Sequence, residues 1–185
     1  MPAKSKAAFL DRDGVINEDL DYVYRIEDFH FIDGVFDACR RLHELGYKLI
    51  VVTNQSGIGR GYFTEADFHV LNDWMLRRFI ENNVPITAVY YCPDHPEYGI
   101  GGYKRDSAYR KPGPRMLLDA GTEHGIDLRS SFMAGDSIND LLAARAAGIG
   151  QSFFIGCSDD LPREFSGTPV FNSLYELVQT QFGFD

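Results

Sequence analysis

Ala7-Ala8-Phe9-Leu10-Asp11-Arg12-Asp13-Gly14-Val15 is the stretch whose reading decides the fold. An apolar run stops abruptly at two aspartates one residue apart, and a glycine comes next. Residues 7–10 read as a buried strand, and residues 11–15 as the loop at its carboxyl end. In an open α/β sheet, ligands bind outside the carboxyl ends of the strands. Buried carboxylates are costly unless paired, hydrogen-bonded or placed on a metal. An acidic pair in that position therefore points to a hard cation such as magnesium.

Outward from this stretch, strands alternate with helices. Val35, Ala38, Leu42 and Leu45 share one side of a helix, which Gly46 closes. Lys48-Leu49-Ile50-Val51-Val52 is a continuous apolar strand of the buried parallel type, ending in Thr53-Asn54-Gln55-Ser56-Gly57. Thr64 and Asp67 form a capping pair for a helix running to about residue 82, with Phe68, Leu71, Met75, Phe79 and Ile80 as its buried stripe. Residues 88–91 give a third strand, and residues 92–112 a long loop. A helix carrying Leu117, Leu118 and Ala120 starts near Pro114. A strand over 131–134, a helix over 138–147, strands over 151–155 and 170–171, and a helix over 174–179 complete the chain. This order predicts an α/β fold, a three-layer Rossmann-like open parallel sheet. At 185 residues, positions 1–185 read as a single domain.

Composition narrows the partners. The chain is 44% hydrophobic with 14 Phe and 10 Tyr, enough for a real core, and its formal charge of -9 disfavours a nucleic-acid backbone. No segment approaches the ~20 apolar residues of a membrane span, and the two early lysines introduce no signal-length apolar stretch. Cys39, Cys92 and Cys157 are widely spaced and make no disulfide framework, so a reduced, cytoplasmic setting is expected. A monomer is the default expectation.

Three strands end in polar clusters: Asp11 and Asp13, Thr53 and Asn54, and Gly135-Asp136 with Asp140. A fourth cluster, Arg110-Lys111, reads as the opening of a helix after the long loop. Singly, each is an ordinary turn, cap or surface residue. In adjacent parallel strands they converge on one sheet edge. Carboxylates there can hold magnesium, while a hydroxyl, loop N–H groups and a lysine hold phosphate oxygens. That is equipment for phosphoryl transfer, with Asp11 usable as a nucleophile. Gly57-x-Gly59-x-Gly61 lacks dinucleotide-loop spacing and there is no Gly-Lys-Ser/Thr, so neither NAD nor ATP is implied.

Asp11-Arg12-Asp13-Gly14, Thr53-Asn54-Gln55, Lys111 and Gly135-Asp136-Ser137-Ile138-Asn139-Asp140 resemble the four motifs of the haloacid dehalogenase superfamily. With Tyr90-Tyr91-Cys92-Pro93, residues 7–155 are similar to its bacterial heptose-bisphosphate phosphatases, with histidinol-phosphate phosphatases related. The resemblance implies a magnesium-dependent phosphatase. Asp11 would take the phosphoryl group and Asp13 would protonate the leaving oxygen, then deprotonate water. Thr53 and Lys111 would hold the phosphoryl oxygens. Asp11, the Asp13 backbone carbonyl and Asp136 would bind magnesium, with Asp140 behind them. Asn54 and Arg110 would contact a small phosphorylated sugar, Arg110 gripping a second phosphate.

Neither the 14–33 connection nor the 92–112 loop is long enough for a folded cap domain. Loops 17–28, 56–63 and 92–110 are expected to shape an open site. Many members fold the last loop on structural zinc, but the matching positions here read Cys92, Asp94, Ser107 and Tyr109. One thiol, even with His95 beside it, falls short of four ligands, so zinc is not expected, and Tyr98, Tyr103 and Tyr109 are expected to pack the loop instead. Two other readings stay open. One keeps the chemistry with another small phosphorylated metabolite, and the other is a catalytically silent phosphate-binding homologue.

Overall fold

The first strand made is central to the sheet. In this computed structural model, which describes residues 5–184, β1 (Lys6–Leu10) pairs in parallel with β2 (Tyr47–Asn54) on one side and β4 (Phe132–Gly135) on the other. β3 (Ile86–Cys92) flanks β2, and β5 (Gln151–Ile155) and β6 (Val170–Phe171) extend the far side. The order is β3-β2-β1-β4-β5-β6, and every pairing is parallel. Residues 1–4, Lys4 among them, and residue 185 lie outside the described residues.

Alternation along β1 sends its side chains to two different cores. Ala8 and Leu10 pack with α1 (Val35–Glu44), α3 (Glu65–Glu81) and α6 (Leu174–Phe182). Ala7 and Phe9 pack with α4 (Arg115–Glu123) and α5 (Ile138–Ala147). Helices therefore cover both faces, and the result is the three-layer open parallel sheet expected from the sequence. A short α2 (Ser56–Gly59) follows β2. Among the described residues, the β1–α1 and β3–α4 connections hold no helix beyond the 3-10 turns Ile26–Asp28 and Gly101–Tyr103. No helix there is long and apolar enough to cross a membrane.

Three details differ from the sequence reading. Thr53 and Asn54 are the last residues of β2, in register with Tyr91 and Cys92, and do not belong to the following turn. Arg110-Lys111 opens no helix, because Pro112 biases the residue before it away from helical backbone, and α4 starts at Arg115. Ile80 is exposed, at 68%. It follows the buried Phe79, and one helical step of about 100° carries it off the stripe. The Thr64–Asp67 capping box is present at the start of α3.

Phe79→Ala is expected to destabilise the chain by about 3–5 kcal/mol, while Ile80→Ala stays within about 0.5 kcal/mol of the parent. Urea unfolding of the two variants checks this, and equal losses would contradict the assigned stripe.

Candidate active site

The carboxyl ends of β1, β2 and β4 bring together side chains more than a hundred residues apart. Lys111 Nζ lies 3.0 Å from Asp11 Oδ1 and 2.5 Å from Asp140 Oδ1, and it donates to the Val52 carbonyl at 2.8 Å. The ammonium thus faces two carboxylates and a backbone carbonyl. The ammonium is 2% exposed and Asp140 is fully buried. Burial pulls the ammonium down, but the two carboxylates outweigh it and hold Lys111 above its ordinary value. For Asp11 burial wins. It pushes the carboxyl well above the usual range, Lys111 opposes it, and Asp140, Asp136 and Asp13 reinforce it.

Asp140 joins this ion cluster to a helix. Its Oδ2 accepts from Ser137 N (3.1 Å) and Ser137 Oγ (2.6 Å), closing a capping box on α5. Its other oxygen serves Lys111. The family resemblance places Asp140 behind Asp136; here its direct partners are Ser137 and Lys111. Gly135 has to be glycine for this approach, since a Cβ would sit 2.3 Å from Asp140 Cγ.

Asn54 holds Lys111 from the other side. Its carboxamide donates to the Lys111 carbonyl and accepts from the Lys111 N–H, both at 3.0 Å. This two-way bond fixes the peptide from which the ammonium reaches inward. Asn54 also lines a cleft of about 220 Å³ with Asp13, Asp19, Asp21, Tyr22, Gln55, Ser56 and Gly57.

Asp13 is oriented by residues to which the sequence alone assigns no role. Its Oδ1 accepts from Arg12 Nη2 (2.8 Å) and Asn17 Nδ2 (3.0 Å), and its Oδ2 accepts from Gln55 Nε2 (3.0 Å). Gln55 also donates to Thr53 Oγ1 at 2.9 Å, which leaves the Thr53 hydroxyl proton free for a ligand. Arg12 is buried, with Nη2 also on the Val23 carbonyl. The signal in the chain is an arginine set between two aspartates at a strand end, where the three side chains cannot all point to solvent.

Carboxylate oxygens of Asp11, Asp136 and Asp140 lie within 4.8 Å of one another. Burial, and Asp140 after it, push Asp136 up to about 7. Three crowded oxygen donors suit a hard divalent cation, which would relieve that repulsion. The backbone leaves room for the approach. Gly14 has φ +80, and a Cβ on it would lie 2.0 Å from Asp136 Oδ2. The cluster of Asp11, Asp136 and Asp140 therefore fits a magnesium ion.

Zinc does not fit the 92–110 loop. Burial raises the Cys92 thiol above its ordinary value, and Sγ lies 3.9 Å from Asp94 Oδ2. Asp94 Oδ2 instead pairs with Arg105 Nε at 2.9 Å. The Tyr109 hydroxyl bonds Asp119 on α4. Tyr103 anchors the loop through Glu65 Oε1 (2.6 Å), whose other oxygen takes the Tyr91 hydroxyl (2.7 Å). Tyr98 is 57% exposed and adds little packing.

A family model for haloacid dehalogenase-like hydrolases matches residues 3–148. The chain belongs to the haloacid dehalogenase-like hydrolases. It is 50% identical over 160 residues to D-glycero-alpha-D-manno-heptose-1,7-bisphosphate 7-phosphatase of Burkholderia mallei, covering 86% of this chain and 84% of that one. It is 44% identical over 175 residues to D-glycero-beta-D-manno-heptose-1,7-bisphosphate 7-phosphatase of Escherichia coli K12, covering 94% and 92%. Among solved structures it superposes on D,D-heptose 1,7-bisphosphate phosphatase of B. bronchiseptica, complexed with magnesium and phosphate. That match has a TM-score of 0.82 and 30% identity, and covers 95% and 97% of the two chains. As a member of this hydrolase family the chain is an enzyme, and its acidic cluster lies where the hydrolase fold gathers its strand ends.

Lys111→Met is expected to cost about 3–5 kcal/mol near neutral pH, because it strands buried carboxylates. Without the ammonium, the already raised Asp11 rises further. A group raised in the folded state contributes stability below its unfolded value and loses it as pH rises. The penalty relative to the parent should therefore shrink from pH 8 to pH 5, and a pH-independent gap in urea unfolding would refute the cluster.

Proposed function

We propose that this chain is a magnesium-dependent phosphatase that removes the 7-phosphate of D-glycero-D-manno-heptose 1,7-bisphosphate. The observation that carries the reading is the Asp11–Lys111–Asp140 cluster, with Asp13, Thr53 and Asp136 around it on one sheet edge. The names of the relatives supply the sugar. They divide between the two anomers at equal identity, 50% for the alpha form in B. mallei and 50% for the beta form in Vibrio cholerae, so the reading carries no anomer. Residues 5–184 act as one catalytic unit in a small-molecule enzyme.

Asp11 carries the nucleophile. Its Oδ1 is held by the Arg12 N–H (2.7 Å) and by Lys111, and its Oδ2 has no partner among the described residues. Oδ2 attacks phosphorus, the bond from phosphorus to the sugar oxygen breaks, and Asp13 gives that oxygen its proton. Asp13 then takes a proton from water as the water oxygen attacks phosphorus, which releases inorganic phosphate and restores Asp11. Thr53 and Lys111 donate to the phosphoryl oxygens, where their fixed dipole and charge count most in the transition state. A magnesium ion on Asp11, Asp136 and the Asp13 carbonyl would keep Asp11 ionised and offset charge on the phosphoryl group. Asn54 and Arg110 lie on the substrate side, Asn54 also keeping Lys111 in place.

Phosphate release from the heptose bisphosphate should require magnesium and stop with EDTA. Asp11→Asn should reduce it to background, and Asp13→Asn should lower kcat by about 10²–10⁴-fold. Undiminished release by Asp11→Asn would overturn the mechanism. A higher kcat/KM for histidinol phosphate or fructose 1,6-bisphosphate would overturn the substrate and leave the chemistry.

A further inference from the structure

Arg12 is the largest of the deeply buried side chains among the described residues, and it stands between the two aspartates of the reacting centre. A guanidinium is charged at every working pH, so burial at 2% exposure demands a partner. The partner is Asp13. Nη2 donates to Asp13 Oδ1 at 2.8 Å, and Nε reaches the same oxygen at 3.3 Å. A guanidinium fork commonly spreads two bonds over both carboxylate oxygens; here both fall on one.

Asn17 adds to the imbalance. It is fully buried, and its Nδ2 donates to Asp13 Oδ1 at 3.0 Å and to the Glu18 carbonyl at 2.8 Å. Asp13 Oδ2, by contrast, accepts from Gln55 Nε2 alone among the described residues, at 3.0 Å. The guanidinium is also anchored away from Asp13. Nη2 donates to the Val23 carbonyl at 2.8 Å, and the guanidinium carbon lies 5.8 Å from the Phe29 ring centroid. Val23 and Phe29 both belong to the core packed on β1. Arg12 therefore transmits the fixed position of the core to one oxygen of one carboxylate.

The imbalance has a direction. Asp13 and Gln55 line the cleft, and Arg12 and Asn17 lie behind it. The Asp13 side chain is 22% exposed where that of Arg12 is 2% exposed. The oxygen that takes the donors from Arg12 and Asn17 is thus on the closed side, and the oxygen on Gln55 is on the open side.

We infer that Arg12 is a positioning residue for the acid–base step: with Asn17 it holds one oxygen of Asp13 and so turns the other toward the bond that breaks. This rests on the phosphatase reading above. The open oxygen gives its proton to the sugar oxygen as the phosphorus–oxygen bond breaks. In the second step it takes a proton from the attacking water. Arg12 acts in both through Asp13.

Leaving-group dependence tests this role. A sugar alkoxide needs a proton in the transition state, whereas p-nitrophenolate leaves without one. Arg12→Lys keeps the charge but lacks the fork that reaches Asp13 and Val23 together. It should lose at least ~10-fold more kcat/KM on D-glycero-D-manno-heptose 1,7-bisphosphate than on p-nitrophenyl phosphate. Equal losses on the two substrates, or no loss, would overturn the inference, because a merely structural effect does not sort leaving groups. Asp13→Asn is scored beside it. A selective loss in Asp13→Asn with an even loss in Arg12→Lys removes the role of Arg12 alone. An even loss in Asp13→Asn removes the acid role from the phosphatase reading itself. If Arg12→Lys does not fold, or the aryl ester is not turned over, a crystal structure of the wild-type protein with magnesium and orthovanadate decides. The Asp13 oxygen within ~3.2 Å of the apical vanadate oxygen should be the one bonded to Gln55, with Arg12 on the other. The Arg12-bonded oxygen in that place overturns the inference.

Discussion

A buried ammonium needs polar and charged partners, and Lys111 finds them on three separate elements. Asp11 ends β1, Val52 belongs to β2, and Asp140 caps α5. Each carboxylate alone would be expensive in that interior. Together with the lysine they offset one another, and the geometry that achieves this also defines the reacting centre. Moving β1 along β2 by one residue would break the cluster and reverse the faces of β1 at once. The hydrophobic layers and the ion cluster therefore select the same register.

The cluster also explains why Asn54 and Gly135 are what they are. Asn54 uses both ends of its carboxamide on the Lys111 peptide, and a shorter or apolar side chain could not reach both. Gly135 lets Asp140 come close to the end of β4. Neither residue needs to touch the reacting atoms to matter. Arg12, Asn17 and Gln55 do similar work for Asp13, so its carboxyl has a fixed direction before any ligand arrives.

Much of this is legible in the chain. Apolar runs that stop at Asp11, at Thr53 and at Gly135-Asp136 announce the strands and their functional ends, because a buried parallel strand has no other place for a polar cluster. What lies out of reach is long-range pairing. The Asn54–Lys111 bond spans 57 positions, and no local periodicity encodes it. Asp140 reads as a helix-start residue with a place behind the metal ligands, yet one of its oxygens serves a lysine from another loop. Ile80 is misplaced when hydrophobicity is carried one residue beyond the turn. Arg60, between Gly59 and Gly61, receives no role from the sequence. Its aromatic partners, Tyr22 and Tyr98, come from two other loops, so only the folded arrangement shows that it lacks a counterion among the described residues.

The strand order also sets a timetable for synthesis. β1 is made first but borders β4, and Asp11 meets its full set of partners only once Asp140 exists. At ~5–20 residues per second that delay is on the order of 10 s on the ribosome. Meanwhile β2 can pair with β1 and β3 with β2, but one edge of β1 stays unsatisfied. The nascent chain thus exposes an apolar strand edge, a template for mispairing, until β4 is made.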